Sequence, residues 1–275
     1  MDSLFEFVRT IGLSVLQALA YYAGFLVLER FHPAQRGQPL SAIALNVLYL
    51  PFYLVGTALL LPPVTALLVG ALRASHPQIF GLLAVDSHVA TGLRGIVFLI
   101  VYDFAYYWFH RTQHRFGFLW AQHKLHHSDP ALNVTTTYRH HWLEEPLKVL
   151  FVTLPIAILF DLTPTFSAGV AFALSFWGFY IHTNVGMHLG WFNRVLCSPQ
   201  LHRLHHSTRP EHQDRNFAAI FPVFDWLFGT QALPRRGDVP ETGLISGERV
   251  TSVWQANALP FSTFMDWLRA KRTAH

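Results

Sequence analysis

Residues 110–127 read HRTQHRFGFLWAQHKLHH and hold five histidines, and HRLHH at 202–206 holds three more in a similar spelling. His110 and His114 are four residues apart, so on a helix both imidazoles leave the same face one turn from each other. His123, His126 and His127 stand at i, i+3 and i+4, and His202, His205 and His206 repeat that spacing. His182 ends the apolar stretch 162–181, which would deliver a ninth imidazole to the same place. Neutral imidazole is the commonest transition-metal ligand and suits zinc, copper, iron and nickel. One metal takes three or four such ligands, so nine convergent histidines predict two metals.

Other residues bear on the same chemistry. TTTYRHHWLEE (135–145) places His140 and His141 beside Glu144 and Glu145, and one of the two histidines is expected as a tenth ligand or as a hydrogen-bond partner of a ligating group. His188 is expected either to ligate or to lie at the membrane interface. Asp103, about two turns before His110, suits a carboxylate that orients an imidazole, although a partly buried acid at a helix end reads the same way. Glu144 and Asn216 are expected in that supporting role as well. His32, His76, His88, His212 and His275 have no partner at helical spacing and are read as packing or interfacial residues. Absent are HExxH, GxSxG, a glycine-rich phosphate loop and GxGxxG, which disfavours a zincin-type protease and nucleotide chemistry. The single cysteine, Cys197, excludes an intramolecular disulfide and a thiolate-rich metal cluster.

The elements that must position these residues are membrane helices. Of the 275 residues, 52% are hydrophobic and only 13% charged, about half the globular share. Between Arg9 and Glu29 lies a charge-free run, read as an anchor and not a cleaved leader because no convincing A-x-A site follows it. The charge-free run between Arg36 and Arg73 contains Pro51, Pro62 and Pro63 and is read as one kinked span or a helical hairpin. Residues 95–109 lead directly into His110. Two more apolar stretches, 149–160 and 162–181, flank Asp161 and look like a second hairpin. The fold class is therefore all-α and integral to the membrane, with four to six embedded helices under a histidine-rich helical cap. Gly117 offers the turn that folds one histidine helix onto the other, and Pro199 is a helix-start residue. Fifteen of the twenty Lys and Arg residues fall at or after Arg111, which places the cap on the cytoplasmic side. No basic run interleaved with aromatics suggests nucleic acid.

HRTQH, AQHKLHH and SPQLHRLHH resemble the HxxxH, HxxHH and HxxHH boxes of the integral-membrane fatty acid hydroxylase/sterol desaturase superfamily. The flanks YDFAYYWFHR and DRNFAAIFPVFDWLFGTQ (214–231) resemble bacterial members and alkylglycerol monooxygenase. The likeness covers roughly residues 95–231, and implies an N-terminal membrane region over 1–94 and a C-terminal cytoplasmic tail over 232–275. It implies a di-iron, O2-dependent hydroxylase or desaturase acting on an unactivated C–H bond of a membrane lipid, with zinc able to displace iron on purification. The ligands it implies are His110, His114, His123, His126, His127, His182, His202, His205 and His206. The RHHWLE segment favours His141 over His140, with Trp142 standing where relatives carry proline. Some members have a further HxxxH around His182, where this chain has Gly178 and Gly186. Tyr106, Tyr107, Trp108 and Phe109 are expected to line or close a route from the bilayer. Electrons are expected from a separate ferredoxin- or cytochrome-type donor with its reductase, docking on a basic surface around Arg203, Arg209 and Arg215.

Two other readings compete. A membrane zinc or copper transporter would carry its site near the bilayer midplane on intramembrane helices, whereas these boxes sit beside Lys and Arg. A dizinc hydrolase would recruit carboxylates as ligands, and the boxes contain none.

Overall fold

The computed structural model describes residues 2–83, 88–160 and 164–273. Asp161 and His275 lie outside the described residues, as does the side chain of His88. Every regular element among the described residues is helical, with two isolated bridges, Pro33 to Val185 and Ser207 to Thr242. Helices Ser3–Phe31, Leu40–Ser75 and Gly92–Arg115 are long and apolar enough to cross a membrane. The chain is an all-α integral membrane protein.

The first span lies in α1 (Asp2–Phe31), the second is α2 (Leu40–Ser75), and the third lies in α3 (His88–Arg115). α2 is continuous despite Pro51, Pro62 and Pro63, so the hairpin alternative does not hold. A π-turn at Ala66–Gly70 follows Pro62 and Pro63, whose missing amides and ring clashes disturb the preceding hydrogen-bond ladder. At 36 residues, α2 is about 54 Å long and exceeds the bilayer core. Its first turns accordingly sit in the cap, where Asn46, Tyr49 and Leu50 are buried. Two further apolar helices, α5 (144–159, with a π-turn at Val149–Thr153) and α6 (Pro164–Ile181), are shorter. The expectation of four to six embedded helices included both, and three reach bilayer length. Leu13, Leu16, Val27, Leu59 and Leu67 are all more than half exposed along the spans, as lipid-facing side chains are.

Between α3 and α5 lie α4 (Gly117–His127) and a buried loop. The chain reverses from α3 to α4 through Phe116, in an extended conformation, and not through a left-handed Gly117. What Gly117 supplies is room: a Cβ there would strike the Trp267 ring of α9 (Val253–Thr273). α9 lies within residues 232–275, the expected tail, and packs on α4 and on α2. α7 (Pro199–His205) starts at Pro199 as expected, and Ser198 caps it by accepting from the amide of Leu201 at 3.1 Å.

Buried polar contacts fasten the cap to the spans. Arg139 donates to Asn46 Oδ1 at 2.7 Å and to Ser128 Oγ at 2.9 Å, while Asn46 and Thr136 each donate to Asp129 Oδ2 at 2.8 Å. Glu29, near the end of α1, accepts from the amides of Val134 and Asn184 at 2.8 and 2.9 Å. Trp142 donates from its indole to Asn257 Oδ1 at 3.0 Å and packs flat on Gly56 of α2. A Cβ at Gly56 would meet Cβ and Cγ of Trp142, atoms that cannot swing aside without moving the backbone. Gly56→Ala is therefore expected to cost about 1–3 kcal/mol by overpacking, read as a lowered unfolding midpoint in detergent. The Gly56→Ala, Trp142→Ala pair should destabilise by less than the sum of the single changes. Strict additivity would show that the contact is not the cause.

Candidate metal centre

Each histidine box is carried by one helix end, and the three ends meet. α3 brings His110 and His114, α4 brings His123, His126 and His127, and α7 brings His202 and His205, with His206 at its C-cap. His182 follows the last residue of α6 and donates from Nδ1 to the carbonyl of Gly178, one turn back, at 2.6 Å. The nine rings fall into two groups able to hold a metal ion, His110, His114, His123, His127 and His205 in one, and His126, His182, His202 and His206 in the other. Within each group the nearest ring nitrogens lie within 4.8 Å of one another. The groups abut, with His127 and His206 stacked at 4.4 Å.

Protonation states make the geometry informative. His110 Nδ1 donates to the carbonyl of Phe217 at 2.8 Å, and His205 Nδ1 to that of Arg215 at 2.7 Å. A carbonyl only accepts, so the proton is on Nδ1 and Nε2 carries a lone pair. Nδ1 of His123 points to Glu144 at 3.4 Å and Nδ1 of His114 to Asp214 at 3.3 Å, with the same consequence. Yet Nε2 of His110 lies 3.0 Å from Nε2 of His123, and Nε2 of His127 lies 3.2 Å from those of His123 and His114. Nε2 of His205 is buried with no partner. In the second group Nε2 of His182, whose Nδ1 hydrogen goes to the Gly178 carbonyl, lies 3.0 Å from His202 and 3.2 Å from His126, while Nδ1 of His126 and of His206 is buried with no partner among the described residues. In the first group too few protons remain to pair these lone pairs, whereas a cation satisfies all of them. The residues fit a transition metal at each group.

Burial, reinforced by neighbouring rings, holds His126, His127, His202, His205 and His206 well below the ordinary imidazole range, and burial brings His182 down to about 3. All are neutral at pH 7, the form a metal needs.

Several expectations are corrected. His141 is not among the converging rings: its Nε2 donates to the carbonyl of Asn257 at 3.2 Å and its Nδ1 accepts from the amide of Leu143. The adjacent His140 faces the site instead, stacked on His126 at 3.9 Å and bonded to Glu144 at 3.1 Å. The reason is register, since the 139–143 turn sends successive side chains to opposite sides. His188 is likewise outside both groups and bonds the carbonyl of Pro234 at 3.0 Å. Among the described residues Asp103 bonds no imidazole. Its carboxylate accepts from the amides of Ala219, Ile220 and Phe221 at 2.9, 3.0 and 2.6 Å. Arg203 is buried and donates to Leu132 O and Asn184 Oδ1, each at 2.9 Å, and Arg209 is paired with both oxygens of Asp238, so these two make no free basic surface. Arg215 donates to the carbonyl of Gly229.

Asn216 and Glu144 are found where support is needed. Asn216, at φ 57°, pairs through its side chain with both backbone groups of Ala232, and its neighbours Arg215 and Phe217 supply the carbonyls to His205 and His110. Sequence reasoning missed Asp225, which accepts from the amides of Phe217 and Ala218 at 2.7 and 3.0 Å and from Thr230 at 2.7 Å. The available signal was an acid inside the apolar run FPVFDWLF.

A cavity of about 140 Å³ opens beside His110, His182 and His202. Leu174 and Trp177 of α6 form part of its apolar wall, and Tyr102 and Tyr106 of α3 close another side. Of the four aromatics expected on the access route, only Tyr106 lines it. Tyr107 is buried against Thr230, Phe109 packs in the core of α3 and α5, and Trp108 rests on Phe228.

The fatty acid hydroxylase family model matches residues 95–230. This segment is a fatty acid hydroxylase domain. It resembles alkylglycerol monooxygenase of Danio rerio, 36% identical over 130 residues, covering 47% of this chain and 28% of that protein. It resembles ornithine lipid hydroxylase OlsE of Rhizobium tropici at 31% identity, covering 60% of this chain and 49% of the relative. Very-long-chain aldehyde decarbonylase GL1-6 of Oryza sativa is 28% identical over 145 residues, covering 46% of this chain and 21% of that protein. The chain thus spans half or less of these relatives. No solved structure matches it. The histidine boxes, the cavity wall from α3 and α6, and the 215–221 loop all lie in the domain.

Two outcomes follow from this geometry. Asp225→Ala frees the loop whose carbonyls orient His110 and His205, and is expected to weaken metal retention about 10–100-fold against a competing chelator. Unchanged retention would mean the rings hold their orientation without the loop. The metal-free protein should also lose stability as pH falls. Folded imidazoles with depressed pKa stay neutral while unfolded ones protonate below about 6.5, so each costs about 1.4 kcal/mol per pH unit below that point. For His182 the loss continues down to about 3. Unfolding midpoints measured from pH 7.5 to 5 should fall steadily, and a flat profile would contradict burial of neutral rings.

Proposed function

We propose that the two histidine groups bind a pair of iron ions and that the protein is an O2-dependent hydroxylase or desaturase of a membrane lipid. The observation that supports this most is the pairing of two all-imidazole groups with a cavity walled in part by the apolar helices α3 and α6. His110, His114, His123, His127 and His205 would hold one ion, and His126, His182, His202 and His206 the other. Iron so bound supplies the means to activate O2 and oxidise an unactivated C–H bond.

The chain's own residues do the rest. Carbonyls of Gly178, Arg215 and Phe217 fix the tautomers, so that each Nε2 is presented as a ligand atom. Burial excludes water and keeps the rings neutral. Leu174 and Trp177 offer an apolar wall to a lipid chain, while His110, His182 and His202 border the place where its reacting carbon would sit. The cap faces the cytoplasm in this reading, in keeping with fifteen of the twenty Lys and Arg residues at or after Arg111. Two electrons per turnover come from a separate carrier protein. The relatives act on an alkylglycerol and an ornithine lipid by name, which favours a glycerol- or amino-acid-headed lipid here over a sterol.

Detergent-purified protein expressed with iron available should contain about two iron ions per chain, lost in the His126→Ala, His205→Ala variant. Membranes expressing the intact chain should then accumulate a hydroxylated or desaturated lipid, detected by mass spectrometry as a mass change of one oxygen or two hydrogens. Zinc in place of iron calls for reconstitution with ferrous iron before the lipid measurement. Protein that holds no stoichiometric metal after both treatments would overturn the proposal.

A further inference from the structure

The first turn of α5 carries three charged side chains into the cavity wall, Glu144, Glu145 and Lys148. Glu144 is occupied by His123 and His140. Among the described residues neither Glu145 nor Lys148 hydrogen-bonds a histidine. Lys148 Nζ donates to Glu145 Oε1 at 2.7 Å, and the Tyr53 hydroxyl of α2 donates to the same oxygen at 3.1 Å. Oε2 of Glu145 and the other two ammonium hydrogens have no partner among the described residues. The two side chains are 17% and 22% exposed, at a cavity where Tyr102, Leu174 and Trp177 provide apolar surface.

A pair of charges partly withdrawn from water is a poor device for stability alone, since apolar side chains of like volume hold helices at least as well. Retained at the wall of a cavity, with donors and an acceptor to spare, it is a device for recognition. We propose that Glu145 and Lys148 bind the polar group of the substrate, and that this group is uncharged and both donates and accepts, a hydroxyl or an amide close to the oxidised carbon. The inference rests on reading the cavity as the lipid site. An isolated phosphate or carboxylate would meet Glu145 along with Lys148 and gain little from the pair. A hydroxyl accepts from Lys148 and donates to Glu145 at once.

Size points the same way. A cavity of about 140 Å³ has room for on the order of five waters, a fragment of glycerol's dimensions. The polar end of a lipid fits there, with its chain leading out along the apolar residues of α6. Oxidation is then directed to carbons near the head and not to the middle of an acyl chain.

The test uses the full-length, iron-loaded protein in nanodiscs and reads binding without turnover. Two probes are compared by quenching of tryptophan fluorescence, 8-bromooctyl glycerol ether and 8-bromooctyl methyl ether, with Trp177→Phe isolating the cavity signal. The glycerol ether is expected to bind about tenfold more tightly, the worth of hydrogen bonds to charged partners. Lys148→Met and Glu145→Gln should each erase that preference while leaving methyl ether affinity and iron content unchanged, and Lys148→Arg should restore much of it. Preference that survives in both Lys148→Met and Glu145→Gln would overturn the proposal. Should those variants fail to fold, the unaltered protein decides: tighter binding of 8-bromooctyl phosphate than of the glycerol ether would equally overturn it. A preference that follows the ion pair in a protein that forms no oxidised lipid would support the recognition site and sink the hydroxylase reading alone.

Discussion

Lone pairs of imidazole nitrogens facing one another across about 3 Å are the constraint from which the rest of the cap follows. Two neutral rings whose Nδ1 hydrogens are spent elsewhere cannot share a proton between their Nε2 atoms, as at His110, turned to the Phe217 carbonyl, and His123, turned to the Glu144 carboxylate, 3.0 Å apart. Such an arrangement is repulsive unless a cation lies between the rings, and the fold holds them there by force of packing elsewhere. Helices α3, α4 and α7 each contribute a turn of ligand geometry, and α6 contributes its end. α7, which runs only from Pro199 to His205, is too short to be stable on its own. Their mutual position is set by contacts away from the rings, notably Arg139 and Asp129 at α2 and Glu29 and Arg203 at the end of α1.

The 215–221 loop shows how much structure is spent on orientation. Its amides run into two buried carboxylates, Asp225 at Phe217 and Ala218, and Asp103 at Ala219, Ile220 and Phe221. Five consecutive amide donors are thereby satisfied without a helix or a sheet. Two of the loop's carbonyls, those of Arg215 and Phe217, face the rings and fix the tautomers of His205 and His110. A carboxylate placed directly on an imidazole would orient one ring. Placed on the loop, the same charge orients two.

Helical spacing made much of this legible in the sequence. HxxxH and HxxHH state that several nitrogens leave one face, and that holds whatever the tertiary fold, which is why all nine boxed or helix-end histidines are found together. The charge-free runs predicted membrane helices for the same reason, because length and composition suffice. Legibility ended where a side chain's direction depended on irregular backbone. His140 and His141 are adjacent in sequence, and only the turn at 139–143 decides which faces His126 and which faces Asn257. Asp103 has the correct helical phase for His110 but meets a loop more than a hundred residues distant, a contact no local pattern encodes. Arg203 looks like surface charge beside His202, yet its guanidinium is consumed by Leu132 and Asn184.

The same burial that hides the rings from titration also separates the two sides of the centre. The second group is fully buried, and in the first only His114 approaches the surface, its ring 9% exposed beside Asp214, which is 73% exposed. His110, His182 and His202 border a cavity whose other walls come from α3, the start of α5, α6 and the 217–220 loop. That cavity brings rings of both groups to one wall, His110 from the first and His182 and His202 from the second. The two histidine groups share a wall, His127 stacked on His206, so that one cavity borders both and one buried interior encloses the nine imidazoles.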